Sequence, residues 1–377
     1  IAQVVSASKG KTQVDAMATE GLPCAMSCNW YAKKAAQVLQ PKSRGMGSIL
    51  FFSKLSRIEH VPLGVVGIIA PWNYPLSIPF GEVVMGLMAG NSIILKTADV
   101  TSQVGVQIEK IVAAGGLPEN LFQMVYARGS AVSSAMLENG VNKIFFTGSV
   151  PAGKMIMAAA AQTLTPLSLA LGGNAPMIVL DDADVERTVN GTIWAGFQNS
   201  GQSCGGIERI YVQEGIYDEY MAALTKKVSA LRQGVASSAH DVDIGCMTTD
   251  KQCDLVKEHV ADAVAQGASI VAQSKMIGDL NEKVFHPATV LENCNHEMLT
   301  MREETFGPVV AVMKFKTIEE AIELANDSDL ALTSSVWTKD TQLGKQIGSR
   351  LESGVTTVND HLLTHGMSET PWGGWKE

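Results

Sequence analysis

Short apolar runs that end in a polar or glycine-bearing turn, each followed by a helical stretch, constrain the fold of this chain more than any other feature. "PLGVVGIIAPWNYP" carries a strand over Val65 to Ile69, stopped by Pro71. "NSIILKTADV" repeats the pattern with a buried strand at Ile93 to Leu95, and "LFQMVYA" and "KIFFTGS" do so twice more. Helical stretches such as "SQVGVQIEKIVAAGG" lie between them. Strands alternating with helices imply a parallel sheet with helices on both faces. The alternation restarts after Gly172 and Gly173 with "PMIVL", "DVERTVNGTIWAGFQ", "RIYVQ" and "YDEYMAALTKKVSALRQG", and continues through "ASIVAQ", "VVAVMKF", "IEEAIELAND" and "ALTSSVWT". Two α/β domains meeting near residue 172 are expected. Residues 1–40 read as helix and residues 47–60 as extended chain. Ligands of open parallel sheets bind beyond the carboxyl ends of the strands, so the informative residues follow each strand.

The length of 377 residues, 46% of them hydrophobic, is enough for two cores. A net charge of -9 without a long basic run argues against nucleic acid or an anionic membrane as partner. No apolar run reaches membrane-spanning length. The six cysteines show no CxxC pair and no Cys/His cluster at zinc spacing, so no metal site is expected. Cys24 and Cys28 lie four apart in a helical stretch without further ligands. Reduced thiols in a cytoplasmic enzyme fit this usage. The chain starts at Ile1 as if inside a helix and stops in "PWGGWKE", so it reads as a fragment, and a targeting segment upstream stays open.

"NSGQSCGG", residues 199–206, offers two nucleophiles. Ser203 sits in a G-x-S-x-G pattern, which has meaning on a strand, turn and helix. Here Val189, Ile193 and Phe197 mark a helix before it, and Ile210 to Val212 a strand after it, so the order is reversed. Cys204 lies in a Gly/Ser loop where a thiol is reachable; the alternative is a small buried filler. Cys246, Cys253 and Cys294 read as structural. Asn73 in "PWNYP", taken alone, is a turn residue. No G-x-G-x-x-G follows a strand. Ser149 in "FFTGSVPAGK" caps a helix, offers a phosphate site with the first N–H groups, or both. "EETFGP" alone is a charged loop.

"PLGVVGIIAPWNYP", "NSIILK", "FFTGSVPAGK", "LALGGNAPMIV", "NSGQSC" and "EETFGPVV", in this order and spacing, resemble the aldehyde dehydrogenase superfamily, in its NAD(P)-dependent hydrolytic branch. The resemblance covers about residues 10–377. It implies an α/β fold of two Rossmann-like open parallel-sheet domains plus a small extended oligomerisation segment. Residues 1–44 and 61–172 would form the dinucleotide-binding domain, 45–60 the oligomerisation segment, 173–370 the catalytic domain, and 371–377 a truncated return toward the first. The resemblance makes Cys204 the nucleophile, attacking an aldehyde to give a hemithioacetal and then a thioester. The Asn73 amide and the Cys204 N–H would stabilise the oxyanion. Ile69, Trp72, Lys96, Asp99, Gly148, Ser149, Leu171, Glu304 and Phe306 would hold the cofactor. Lys96 and Asp99 would meet the adenosine ribose, and the Asp99 carboxylate would repel a 2′-phosphate, favouring NAD over NADP. Glu304 would hold the nicotinamide ribose, with Phe306 beside the ring. The partners implied are a small-molecule aldehyde and further copies of the chain, as a homodimer or homotetramer.

One position departs from the family pattern. Ala170 in "LALGGN" stands where the family carries the glutamate that activates water for thioester hydrolysis. Loss of a general base lowers a step by about a hundred- to ten-thousand-fold. An engineered Glu→Ala substitution, acyl transfer to another acceptor such as coenzyme A, or service by another carboxylate such as Glu208 would each account for it. A non-catalytic nucleotide-binding member is a further alternative. Trp72, Trp194, Phe197 and Met88 are candidates to line an apolar approach to the site, or core. "NDHLLTHGMSETPWGG" borders the mouth, with His361 and His365 as candidates.

Overall fold

The computed structural model describes the backbone of residues 1–377 and every side chain except those of Lys9 and His365. The candidate His365 therefore lies outside the described side chains. The chain separates into two compact units that do not follow chain order. The smaller holds residues 21–146 and 154–168; the larger holds residues 1–20, 147–153 and 169–377. Residues 1–20, expected with the first domain, thus belong to the second unit. Their polar groups explain this. Buried Asp15 accepts the Asn199 N–H at 3.2 Å, while Lys11 and Glu20 form a buried ion pair at 2.6 Å within the segment itself.

The expected single N-terminal helix is broken. Ala2–Lys9 ends at Gly10, whose φ of 72° is the left-handed conformation that favours glycine. Thr12 then caps Gln13–Ala16 by accepting the Asp15 N–H at 3.1 Å. A π-turn at Met17–Gly21 leads into Leu22–Val38, with Pro23 in its first turn.

In the smaller unit, β1 (Lys42–Arg44) and β2 (Ser56–Ile58) pair antiparallel. Ile49–Phe51 between them is a 3-10 turn, so residues 47–60 are extended only in part. Five further strands form one sheet: β3 (Val65–Ile69), β4 (Ser92–Lys96), β5 (Phe122–Met124), β6 (Lys143–Thr147) and β7 (Leu167–Ala170), arranged β5-β4-β3-β6-β7, with Thr147 and residues 169–170 at the ends of β6 and β7 grouped with the larger unit. β3 runs parallel to both β4 and β6. Val66, Ile68, Ile93, Leu95 and Ile144 are buried, as expected of parallel strands covered on both faces. The strand order reverses between β3 and β6, the position at which such sheets receive ligands. Trp72 and Asn73 follow β3, Asp99 follows β4, and Gly148 follows β6.

The larger unit contains β8 (Ala175–Val179), β9 (Ile207–Gln213), β10 (Arg232–Gly234), β11 (Ser269–Gln273), β12 (Lys275–Ile277), β13 (Thr289–Glu292), β14 (Val309–Phe315), β15 (Thr333–Trp337) and β16 (Val355–Val358). Seven of these form one sheet in the order β11-β13-β14-β9-β8-β15-β16. The sheet is parallel, as expected, apart from β11, which pairs with β13 antiparallel. β11 is an edge strand with Ile270 partly exposed, where an antiparallel addition is readily accommodated. Ile210 and Val212 of β9 enter one core and Tyr211 the other, so the central strand is buried on both faces. Phe197 lies within the first of these cores, which makes it packing rather than a channel wall. Met88 is exposed at the end of its helix. Arg209, also on β9, is fully buried; its guanidinium donates to the carbonyls of Asn174 at 2.9 Å and Ala325 at 3.1 Å and to the Tyr211 hydroxyl at 3.0 Å.

The helix Val185–Phe197, capped by Asp184, packs on this sheet through a glycine. A Cβ at Gly191 would lie 2.2 Å from Trp337 Cη2. The indole is anchored by its Nε1 donating to Ser335 at 3.1 Å. Gly191→Ala should therefore destabilise the protein by about 1–3 kcal/mol through overpacking. A urea titration should show a lower midpoint at unchanged slope; an unshifted midpoint would contradict this helix packing.

Candidate active site

Between Phe197 and β9 the backbone does something that L-residues resist. Asn199, Ser200 and Gly201 adopt φ of 53°, 55° and 70° in succession. A left-handed non-glycine residue costs about 1–2 kcal/mol. Specific bonds offset this. The Asn199 side-chain amide donates to the Gln202 carbonyl at 3.1 Å, and the Gln202 amide donates back to the Asn199 carbonyl at 2.9 Å. Ser200 Oγ donates to the Gly245 carbonyl at 3.0 Å. Thr248 N–H donates to Gln202 Oε1 at 2.8 Å. A Cβ on Gly201 would sit 2.0 Å from the Gly307 carbonyl oxygen, so only glycine fits. The residue types of "NSGQ" are thereby explained: two short polar residues for left-handed backbone, a glycine for close approach, and an amide to brace the turn. Cys204 follows this turn, half-buried. Ser203 is buried, and the order helix, 3-10 turn, strand is the reverse of a nucleophile elbow.

Glu304 lies against the glycine turn after β7. It accepts the Gly173 N–H at 3.0 Å. A Cβ at Gly172 would lie 2.5 Å from Glu304 Oε2, and one at Gly173 would lie 2.4 Å from the Cys204 carbonyl oxygen. The two glycines therefore admit the carboxylate and the cysteine backbone to one turn. Ala170 ends β7, and its carbonyl accepts the Gly148 N–H at 3.1 Å. Leu171 packs over Gly153, within 2.7 Å of where a Cβ would be. Ser149 is exposed and immediately precedes the helix Val150–Ala160.

Glu208, which the sequence left open as a substitute base, is engaged otherwise. It is buried on β9, and its two carboxylate oxygens accept the N–H groups of Thr305 and Phe306, both at 2.8 Å. Phe306 has a φ of 49°. Gln252 donates to the Thr305 carbonyl at 3.0 Å from the other side. Glu208 thus ties down the segment that carries Glu304. Its sequence signal was an acid inside the apolar strand "GGIERIYV".

These groups share one electrostatic environment. Cys204 and Glu304 keep some solvent contact, yet their ionisable groups sit inside the fold. Burial, and next the Glu304 carboxylate, push the Cys204 thiol up to about 12, opposed by the N–H groups of Gly205 and Cys204. Burial pushes Glu304 up to about 7, against the Gly173 hydrogen bond. Burial and then Glu304 push Glu208 up to about 8, against its two N–H partners and Arg209.

Cys204, Ala170, Gly148, Ser149, Leu171, Glu304 and Phe306 all fall in the larger unit. Ile69, Trp72, Asn73, Lys96 and Asp99 fall in the smaller. There, Ile69 and Asn73 are buried and Trp72 is half-buried. Lys96, buried at the end of β4, pairs with exposed Asp99 at 2.8 Å. Among the described residues no group of three His, Cys, Asp or Glu side chains could hold a metal ion, and no helix is long and apolar enough to cross a membrane.

The pattern of the Aldehyde dehydrogenase family matches residues 1–377. The chain is 37% identical over 379 residues to a 4,4'-diapolycopene aldehyde oxidase of Methylomonas sp, spanning 100% of this chain and 69% of that protein. It is 36% identical over 331 residues to the lactaldehyde dehydrogenase of Escherichia coli, spanning 88% of this chain and 67% of the relative. A putative succinate-semialdehyde dehydrogenase [NADP(+)] of Mycolicibacterium smegmatis is 34% identical, over 99% of this chain and 71% of its own length. Among solved structures, an aldehyde dehydrogenase from Brucella melitensis biovar abortus 2308 superposes with a TM-score of 0.92 at 32% identity, covering 100% of this chain and 75% of that one.

The Glu304 environment has a pH signature. Its pKa rises from 4.5 to about 7 on folding, so the folded chain holds a proton that the unfolded chain has released between those values. Unfolding free energy then falls as pH rises through that window. Glu304→Gln should remove this contribution, so its stability relative to wild type should rise between pH 5 and pH 7 in paired urea titrations. A difference independent of pH would show that the carboxyl is not held in a desolvated site.

Proposed function

Because this chain belongs to the aldehyde dehydrogenase family, we propose that it oxidises an aldehyde to the carboxylic acid through a covalent bond to Cys204, with NAD as hydride acceptor. The observation that carries this reading is the braced left-handed turn that presents Cys204 beside the Glu304 carboxylate and its glycine turn. The Cys204 sulfur adds to the carbonyl carbon as its S–H bond breaks and the proton passes to solvent water. The carbonyl oxygen becomes an alkoxide, for which the reading assigns the Asn73 amide and the Cys204 N–H as donors. An uncharged amide suits that task because it donates without forming a competing ion pair.

When bound, the nicotinamide ring supplies the hydride acceptor that converts a hemithioacetal into a thioester. The donors and acceptors present fit such a cofactor. Glu304 is a fixed carboxylate able to accept from ribose hydroxyls. Ser149 and the leading N–H groups of the helix Val150–Ala160 suit a pyrophosphate. Lys96 and Asp99 suit the adenosine ribose, and Ile69, Trp72, Leu171 and Phe306 offer apolar walls. NAD is preferred over NADP because Asp99 neutralises Lys96 in an ion pair and would repel a 2′-phosphate; relatives named for NADP(+) make this a point to measure.

The thioester is then the slow species. Ala170 cannot take a proton from water, and both oxygens of Glu208 are occupied by backbone N–H groups. The reading also gives dinucleotide binding to residues 61–172 and catalysis to residues 173–370. It gives subunit contact to residues 45–60, supported by Ile49, Leu50, Phe52 and Leu55, all more than 80% exposed; a homodimer or homotetramer is the assembly proposed. A reducing, cytoplasmic setting belongs to the same reading, supported by six cysteines that are all free.

Enzyme mixed with NAD and a simple aldehyde should give a burst of NADH near one per site, followed by slow turnover. Cys204→Ala should abolish the burst. Ala170→Glu should raise steady turnover by about a hundred- to ten-thousand-fold. Absence of a burst in protein that binds NAD would reject Cys204 as nucleophile. A steady rate restored by coenzyme A instead would point to acyl transfer.

A further inference from the structure

The segment after β16 brings His361 to the residue next to the nucleophile. His361 Nε2 lies 2.8 Å from the Gly205 carbonyl oxygen. Thr333 Oγ1 donates to the same oxygen at 3.1 Å. A carbonyl only accepts, so Nε2 carries the ring proton and Nδ1 is a bare acceptor. Among the described residues Nδ1 has no partner, although it is buried. The ring is 3% exposed, and burial lowers its pKa to about 4, which keeps this neutral tautomer at working pH.

The backbone is strained to achieve this placement. Asn359 and Leu362, on either side of the histidine, have φ of 56° and 72°. Neither is glycine, and Leu362 is buried. Such strain persists only where the surroundings over-determine it. The Asn359 side chain accepts the Thr338 N–H at 2.9 Å and donates to the Thr338 carbonyl at 2.7 Å, and Arg187 donates to the Asn359 carbonyl at 3.0 Å. Gly205 is boxed from another side as well: a Cβ on it would lie 3.1 Å from Thr333 Cγ2 and 3.2 Å from Trp372 Cη2. Gly205 directly follows Cys204, so the clamped residue is bonded to the one that carries the sulfur.

We infer that His361 is a positioning residue for the nucleophile: with Thr333 it clamps the Gly205 carbonyl and so fixes the backbone that carries Cys204. This rests on the reading of Cys204 as nucleophile, but its test does not need turnover. The probe is iodoacetamide, with Cys204 labelling followed by peptide mass at fixed pH. His361→Phe removes the donor and should slow Cys204 labelling about tenfold, the worth of one lost hydrogen bond. His361→Gln, whose side-chain amide can donate to the same carbonyl, should recover most of the rate. Affinity for NADH should be unchanged in both, which separates a local effect from general loosening. Wild-type labelling in His361→Phe, or a loss in His361→Gln as large as in His361→Phe, would overturn the clamp. If His361→Phe does not fold, Thr333→Val removes the other donor, and a wild-type labelling rate there overturns it equally. Histidine-dependent labelling in a protein without an NADH burst would uphold the clamp while rejecting the catalytic reading.

Discussion

The left-handed backbone at Asn199, Ser200 and Gly201 is the constraint on which the site rests. A chain leaving a helix at Phe197 and entering β9 at Ile207 has few residues in which to turn and present a thiol. It does so through a conformation that side chains oppose, and it surrounds that turn with hydrogen bonds that hold it. Each such bond contributes about 0.5–1.5 kcal/mol net, so several together offset two strained residues. On the proposed reading, the sulfur is presented by backbone that these bonds already fix, which is the condition for preorganised catalysis. One of those bonds comes from Asp15, and it is also part of what ties the N-terminal residues to the larger unit.

Three segments distant in sequence converge on this loop, each fixed by a different device. Glycine at 172 and 173 lets the end of β7 approach Glu304 and the Cys204 carbonyl. Glu208 accepts two successive N–H groups and stops the Thr305–Phe306 backbone from relaxing. His361 and Thr333 share the Gly205 carbonyl. Small residues, a buried carboxylate and a neutral imidazole do the same kind of work, which is to hold peptide groups still around one sulfur.

How much of this was legible in the sequence follows from what each feature depends on. β8 and β14 were legible because burial on both faces writes an apolar run, and β9 was legible from Ile210 to Val212, beyond the charged pair Glu208 and Arg209. The direction of β11 was not, because alternation has the same period in parallel and antiparallel strands; the partner, β13, decides. The breaks at Gly10 and at Met17–Gly21 were hidden by apolar spacing that continues across them. Cys204 stood out because its motif is local. Glu208 and His361 did not, because their roles are set by Thr305 and Gly205, residues 97 and 156 positions away. The exchange of residues 1–20 between units has the same origin, since the Asp15 bond to Asn199 spans 184 positions.

Ala170 acquires a second meaning from this electrostatic setting. Cys204 and Glu208 are pushed up by burial and then by the Glu304 carboxylate, while Glu304 itself is pushed up by burial. A glutamate at 170 would add a fourth acidic group two residues before the glycine against which Glu304 lies. Like charges in a desolvated site cannot all ionise, so one of them would take up a proton at neutral pH. A protonated carboxyl there would be a proton donor until water or a thiol required a base. With alanine, that reservoir is gone, and the remaining carboxylates are each fixed by backbone N–H groups. On the proposed reading, alanine at 170 therefore both withholds a base from the hydrolytic step and relieves crowding of charge around the sulfur, so it bears on how the thiol ionises as well as on how a thioester is released.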